Sequence, residues 1–200
     1  RQAQAYILEG KVEQIVLSKR LVAQMSGDAF SLYRKLRKLT PAPYMYYAQF
    51  SDHVMIGVSP ESVVKIKGSH VTITPVTGAR PRGLTPREDL SVELSLLQNA
   101  KEVHVHKLLV DQTIQDLEMI CIENSIQIVE YMKPVQFKHS IRLTTEFEAM
   151  LYPFLHPIDA LKLLFPPASS SGVPKREASE IINRLEPIAR SFYGGALGYF

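Results

Sequence analysis

Residues 2–9 read as the end of a helix, and Gly10 stands where glycine usually follows a helix end. Val, Ile and Leu recur through 12–24, which predicts a strand. In 29–39 the apolar positions Phe30, Leu32, Tyr33, Leu36 and Leu39 return at helical spacing, and Pro41 and Pro43 end that helix. Strands are predicted at 44–50, 53–58 and 62–66. The Lys67-Gly68-Ser69 turn folds 70–74 back as a hairpin. A long helical stretch covers 87–120, with a break at Asn99 and a buried stripe of Leu108, Leu109, Ile114, Leu117 and Ile120. Strands follow at 125–131 and 135–147. Pro157 opens a helix that runs to Leu164, since proline fits a first turn. A Pro/Ser/Gly loop spans 166–174, a helix spans 175–186, and a glycine-rich strand begins at 193–200. Meandering strands interrupted by helices predict an α+β fold, antiparallel β-sheets with outer helices, rather than a doubly wound parallel sheet.

Composition adds bounds. The chain has 200 residues, 46% hydrophobic and 22% charged, which suits one sizeable core or at most two small ones, and one domain over 1–200 is expected. A formal charge of +3 is spread thinly, so no basic face for nucleic acid is expected. The cluster Arg34-Lys35-Arg37-Lys38 reads as a solvated helix face. The single cysteine, Cys121, excludes an intramolecular disulfide and reads as a small core residue. No run reaches the about 18 apolar residues of a membrane span, and no signal pattern opens the chain. The cytoplasm is the expected location. A first residue Arg1 rather than Met reads as a piece of a longer or processed chain.

Some segments carry candidate chemistry. In TPVTGARPRG (74–83) a strand runs into a loop where Gly78 lets backbone N–H groups approach an anion, with Arg80 and Arg82 beside it. A polar turn with solvated arginines fits that stretch equally well. In NAKEVHVHKLLVD (99–111) Glu102 and His106 share a helical face. His104 and His106 lie two apart and diverge on a helix, which argues against a zinc pair. In FPPASSSGVPK (165–175) small residues lead into a helix N-terminus, which suits either an anion or a capping linker. No P-loop and no nucleophile elbow is present.

Taken in order, VEQIVLSKR (12–20), APYMYYAQF (42–50), GVSPESVVKI (57–66), TPVTGARPRG, AKEVHVHKLLVD, FPPASSSGVPK and EIINRLEPIARSFYGGALGYF (180–200) resemble the chorismate-utilising enzymes. The nearest branch is anthranilate synthase component I. Relatives in the same family make aminodeoxychorismate, isochorismate and salicylate. The resemblance implies a sandwich of two antiparallel sheets with helices outside and the active site between them. It implies addition of ammonia to chorismate and loss of pyruvate, with Mg²⁺ on the substrate carboxylate and ammonia from a glutamine amidotransferase partner. Gln14 stands where isochorismate and salicylate synthases carry a water-activating Lys, and Thr77 where aminodeoxychorismate synthases carry a Lys nucleophile. The resemblance gives Glu61 as a general acid and Glu102 as a magnesium ligand. Gly78 and Ser169 are implied substrate contacts, as are Thr77, Ala79 and Gly172 around them.

Departures from the family pattern cut the other way. Ala79 replaces a threonine donor, and Val105 replaces a glutamate and cannot coordinate Mg²⁺. Arg142 takes the place of the active-site His and stays protonated, so it cannot shuttle protons at neutral pH. It can instead pair with a substrate carboxylate in place of the cation. The family continues with an arginine-bearing strand, a Gly-Ala-Gly turn and a helix with further magnesium glutamates, and the 200 residues stop before these. The expectations are therefore a divergent anthranilate-synthase-like enzyme or a catalytically impaired chorismate-binding relative. An isochorismate- or salicylate-synthase-like enzyme is the further alternative.

Overall fold

The computed structural model describes residues 1–199. Helix α1 covers Gln2–Leu8 and strand β1 covers Gln14–Ile15; helix α2 covers Ala29–Leu39, β2 Tyr44–Gln49 and β3 Val54–Ser59. Next come β4 Lys65–Lys67, β5 His70–Ile73, β6 Val76–Pro81, α3 Pro86–Gln98 and α4 Ala100–Ile120. After a 3₁₀ turn at Glu123–Ser125 follow β7 Gln127–Gln136, β8 Ser140–Met150, α5 Pro157–Leu164, β9 Gly172–Val173 and α6 Lys175–Leu185. The chain divides into two compact units, residues 19–62 and the remainder.

The smaller unit is α2 with the β2–β3 hairpin. Asp28 caps α2 by accepting from Ser31 N–H at 2.8 Å. Phe30 of α2 meets the Tyr47 ring of β2 edge-on at 5.2 Å, so aromatic contact holds helix to hairpin. Arg34, Lys35, Arg37 and Lys38 are exposed, as the charge pattern predicts.

In the larger unit β8 is the hub. β7 pairs along one of its edges, while β5 and β6 share the other: β5 opposes 147–150 and β6 opposes 140–144. The break between them falls at Pro75, whose carbonyl accepts from Thr145 N–H at 3.3 Å. β4 extends the sheet beyond β5. Every pairing among the described residues is antiparallel, in agreement with the α+β expectation. Alternation along β8 turns Ile141, Leu143, Thr145, Phe147 and Ala149 inward, all nearly inaccessible. α4 covers that face with Val110, Leu117 and Ile120, and α5 adds Ala160 and Leu164. α3 covers Ile141 and Leu143 with Leu96. Asn99 separates the two helices: it ends α3 and caps α4, accepting from Glu102 N–H at 3.1 Å. Cys121 is buried in this core, and burial pushes its thiol up to about 11.

The structure corrects several sequence expectations. The strand over 12–24 shrinks to β1, because its partner β9 is two residues long and offers no ladder beyond. Leu21 and Val22 stay exposed at 84% and 88%. The strand over 62–66 is confined to β4, and the pair 125–131 and 135–147 becomes β7 and β8 with their turn at 137–139. Pro134 lies inside β7 opposite Leu143, which an edge strand tolerates because the missing donor faces away from the ladder. The strand expected from 193 is a turn through 191–194 followed by irregular backbone to 199; Phe200 lies outside the described residues.

Candidate active site

The centre of the candidate site is a bulge in β6. Thr77 pairs with Leu143 and Arg80 with Ile141, so Gly78 and Ala79 together oppose Arg142. A bulge takes its extra residue out of the hydrogen-bonded ladder and re-aims the chain. Gly78 has φ +61°, a left-handed conformation that favours glycine. Space matters as well: a Cβ at Gly78 meets Leu96 Cδ2 at 3.3 Å and Glu102 Oε2 at 3.4 Å. The Glu102 carboxylate therefore lies directly against the Gly78 backbone. Its Oε1 pairs with Arg80 Nη2 at 3.2 Å.

Beneath the bulge the Thr77 hydroxyl lies 2.6 Å from His106 Nδ1. His106 Nε2 lies 2.7 Å from the Thr145 hydroxyl, which accepts from Met132 N–H at 2.9 Å. Thr77, His106 and Thr145 are all buried. Both ring nitrogens are engaged, and burial pushes the imidazole down to about 4, so it is neutral at pH 7. The ring props Thr77 and with it the first residue of the bulge. Thr145, which sequence reasoning missed, is visible in the pattern only as a polar residue at an inward position of β8.

A second cluster forms at β1 and β9. Gln14 pairs with Val173 and Ile15 with Gly172. Gly172 sits so close to β1 that a Cβ collides with the Gln14 carbonyl and falls 2.9 Å from the Ala178 Cβ. The Gln14 side-chain oxygen Oε1 is buried without a hydrogen-bond partner among the described residues. Ser169 is exposed in the adjoining turn, and Ser171 N–H and Oγ donate to Pro167 O at 3.2 and 3.0 Å. Lys175 at the start of α6 pairs with Asp116 of α4 at 2.7 Å and donates to Leu164 O at 3.0 Å. Burial pushes the Asp116 carboxyl up, opposed by Lys175 and by Gln112.

Arg142 projects from the β8 face opposite to Leu143 and Thr145, hence away from α4; its guanidinium lies 5.7 Å from the Phe137 ring centroid and its Nε donates to Ser140 Oγ at 3.3 Å. Glu61 belongs to the smaller unit, half-buried just after β3, where its N–H donates to Ser59 Oγ at 3.4 Å and its carbonyl accepts from that hydroxyl at 2.8 Å. Arg82 forms a bidentate pair with Asp89 and donates to Phe137 O at 3.0 Å, so it is a structural tie rather than a free anion receptor.

A magnesium ion wants oxygen ligands in near-octahedral array. The carboxylate at the bulge, Glu102, is paired with Arg80, and one turn on Val105 offers only carbon. No group of three or more His, Cys, Asp or Glu side chains is arranged for a metal among the described residues. The residues present do not fit this cation. No helix among them is long and apolar enough to cross a membrane.

Known proteins are similar to this chain in sequence and fold. The sequence model of the chorismate binding enzymes matches residues 1–200. Anthranilate synthase component 1 of Pseudomonas aeruginosa is 37% identical over 194 residues, covering 97% of this chain and 39% of that protein. The crystal structure of anthranilate synthase component I from Streptococcus pneumoniae superposes with a TM-score of 0.83 at 36% identity, over 92% of this chain and 40% of that one. A putative 2,3-dihydroxybenzoate-specific isochorismate synthase from Bacillus anthracis gives 0.78 at 27% identity, over 94% and 52%. The chain spans about two fifths of the length of the curated relatives it matches.

Proposed function

The chain belongs to the family of chorismate binding enzymes, and from that premise we propose that it binds chorismate as part of an anthranilate-synthase-type site. The observation that carries the reading is the Gly78–Ala79 bulge against Glu102. It takes Gly78 and Ala79 out of the β6–β8 register beside the Arg80–Glu102 pair, in a family matched along the whole chain. In this reading Thr77, Gly78 and Ala79 line one wall, and Ser169 and Gly172 supply another beside Gln14.

The proposed reaction is amination of chorismate by ammonia followed by loss of pyruvate, with ammonia delivered by a glutamine amidotransferase. The buried, unpartnered Gln14 oxygen supports it: an unmet buried acceptor costs about 1–3 kcal/mol, and an incoming N–H donor relieves that cost. Glu61 is the proposed proton donor. A catalytically impaired relative is the second reading, favoured by Val105 and by the Arg80 that already holds Glu102. The second reading predicts chorismate binding with no need for magnesium, since the donor set among the described residues does not fit that ion.

Calorimetric titration with chorismate tests binding, and anthranilate fluorescence with ammonium tests turnover. Binding with fluorescence supports the enzyme, and binding without it supports the impaired relative. No heat of binding at millimolar chorismate refutes both. In an active protein Glu61→Gln lowers turnover far more than affinity; the reverse pattern removes Glu61 from the chemistry.

A further inference from the structure

Hydrogen bonds from separate chain segments converge on one ion pair that neither the bulge nor the β1–β9 cluster uses directly. Arg190 lies on the segment after α6 and presents one edge to Glu186, with Nε to Oε2 at 2.9 Å and Nη2 to Oε1 at 2.6 Å. The rest of the guanidinium donates to backbone carbonyls: Nη1 to Ser170 O and Nη2 to Val16 O, both at 2.6 Å. Glu186 Oε1 also accepts from Ser18 N–H at 2.7 Å. The Glu186 and Arg190 side chains are only 9% and 18% exposed, and Arg190 holds the Glu186 carboxyl down at about 2. The guanidinium lies 5.2 Å from the Tyr193 ring centroid, and Gly194, at φ +75°, passes close to Ser170: a Cβ there meets Ser170 Oγ at 3.2 Å.

The position of these carbonyls matters. Val16 directly follows β1, whose Gln14 carries the unpartnered oxygen, and Ser170 stands between Ser169 and Gly172. Val16 N–H donates to Ser171 O at 2.9 Å, so the two segments touch where Arg190 bridges them. Only the planar fork of an arginine engages a carboxylate with one edge and two diverging carbonyls with its remaining N–H groups. A lysine is a point charge that keeps the ion pair and gives up the bridge.

We propose that Arg190, oriented by Glu186, is a positioning residue for chorismate binding, setting the distance between Gln14 and the 169–172 loop without touching substrate. This rests on the chorismate reading above. The test is chorismate affinity by calorimetry and melting temperature for the wild type, Arg190→Lys, Glu186→Gln and, as a general destabiliser remote from the loop, Leu117→Val in the sheet–α4 core. The expected result is an affinity loss of at least tenfold for Arg190→Lys and a smaller loss for Glu186→Gln, which keeps an oxygen acceptor. Leu117→Val is expected to lower the melting temperature and leave affinity within twofold. Arg190→Lys within twofold of the wild type overturns the proposal. So does a loss matched by Leu117→Val at equal destabilisation. If Arg190→Lys does not fold, unchanged affinity in Glu186→Gln overturns it. A wild type that does not bind chorismate overturns the functional reading and this proposal with it.

Discussion

At His106 a buried imidazole lies between two threonine hydroxyls, and its neutrality has a measurable consequence. Its folded value, about 4, lies below the ordinary 6.5, so folding favours the neutral ring. The stabilisation is complete above about pH 6.5 and is lost as pH falls toward 4, at about 1.4 kcal/mol per unit. Urea denaturation at pH 7 and pH 4.5 is expected to differ by about 2 kcal/mol more in the wild type than in His106→Asn, which removes the titration. Equal pH dependence in the two proteins contradicts this account of the ring. Glycines make a second residue-scale test. Gly172→Ala drives a Cβ into the Gln14 carbonyl and crowds Ala178, so strain and overpacking are expected to cost on the order of 3 kcal/mol. Gly68→Ala, at φ +59° with nothing within 4 Å, carries the conformational cost alone, about 1 kcal/mol. Denaturation midpoints of the two variants separate space from backbone angle.

Between elements, the tie from α4 to α6 is the Asp116–Lys175 pair, with side chains 12% and 13% exposed. Asp116→Ala leaves Lys175 charged and enclosed, which is expected to cost about 3–5 kcal/mol in urea denaturation. A cost below 1 kcal/mol means that water reaches Lys175. Asn99→Ala removes the α4 cap and is expected to cost only about 1 kcal/mol by the same measurement. Elements with strong periodicity and punctuation were legible in the sequence: α2 by its apolar spacing, the α3–α4 break at Asn99, and α5 by Pro157. Strands that depend on a distant partner were not. The apolar run 12–24 looks like one strand, yet β9 offers only two residues to pair with it, and local sequence carries no record of that. Nothing local says that β7 is an edge strand able to carry Pro134. Within the candidate site, the resemblance singles out Gly78 and Glu102 separately, and the structure brings them together. The buried Thr145 and the Glu186–Arg190 pair were not legible, since both act through contacts remote in sequence.

Over the whole chain, the Glu102 carboxylate held by Arg80 and the apolar Val105 beside it are the described features that depart most from what the family resemblance implies. Val105 lies one helical turn from Glu102, so Val105→Glu places a second carboxylate on the same face. That variant is expected to gain a magnesium-dependent rise in melting temperature that the parent lacks; magnesium titration in a thermal shift assay reads it. The most direct measurement remains calorimetric titration of the unaltered protein with chorismate, once with Mg²⁺ and once with a chelator. The account predicts binding of equal affinity in both, carried by the Gly78 bulge and the 169–172 loop. Binding that vanishes in the chelator, or no binding in either buffer, contradicts it.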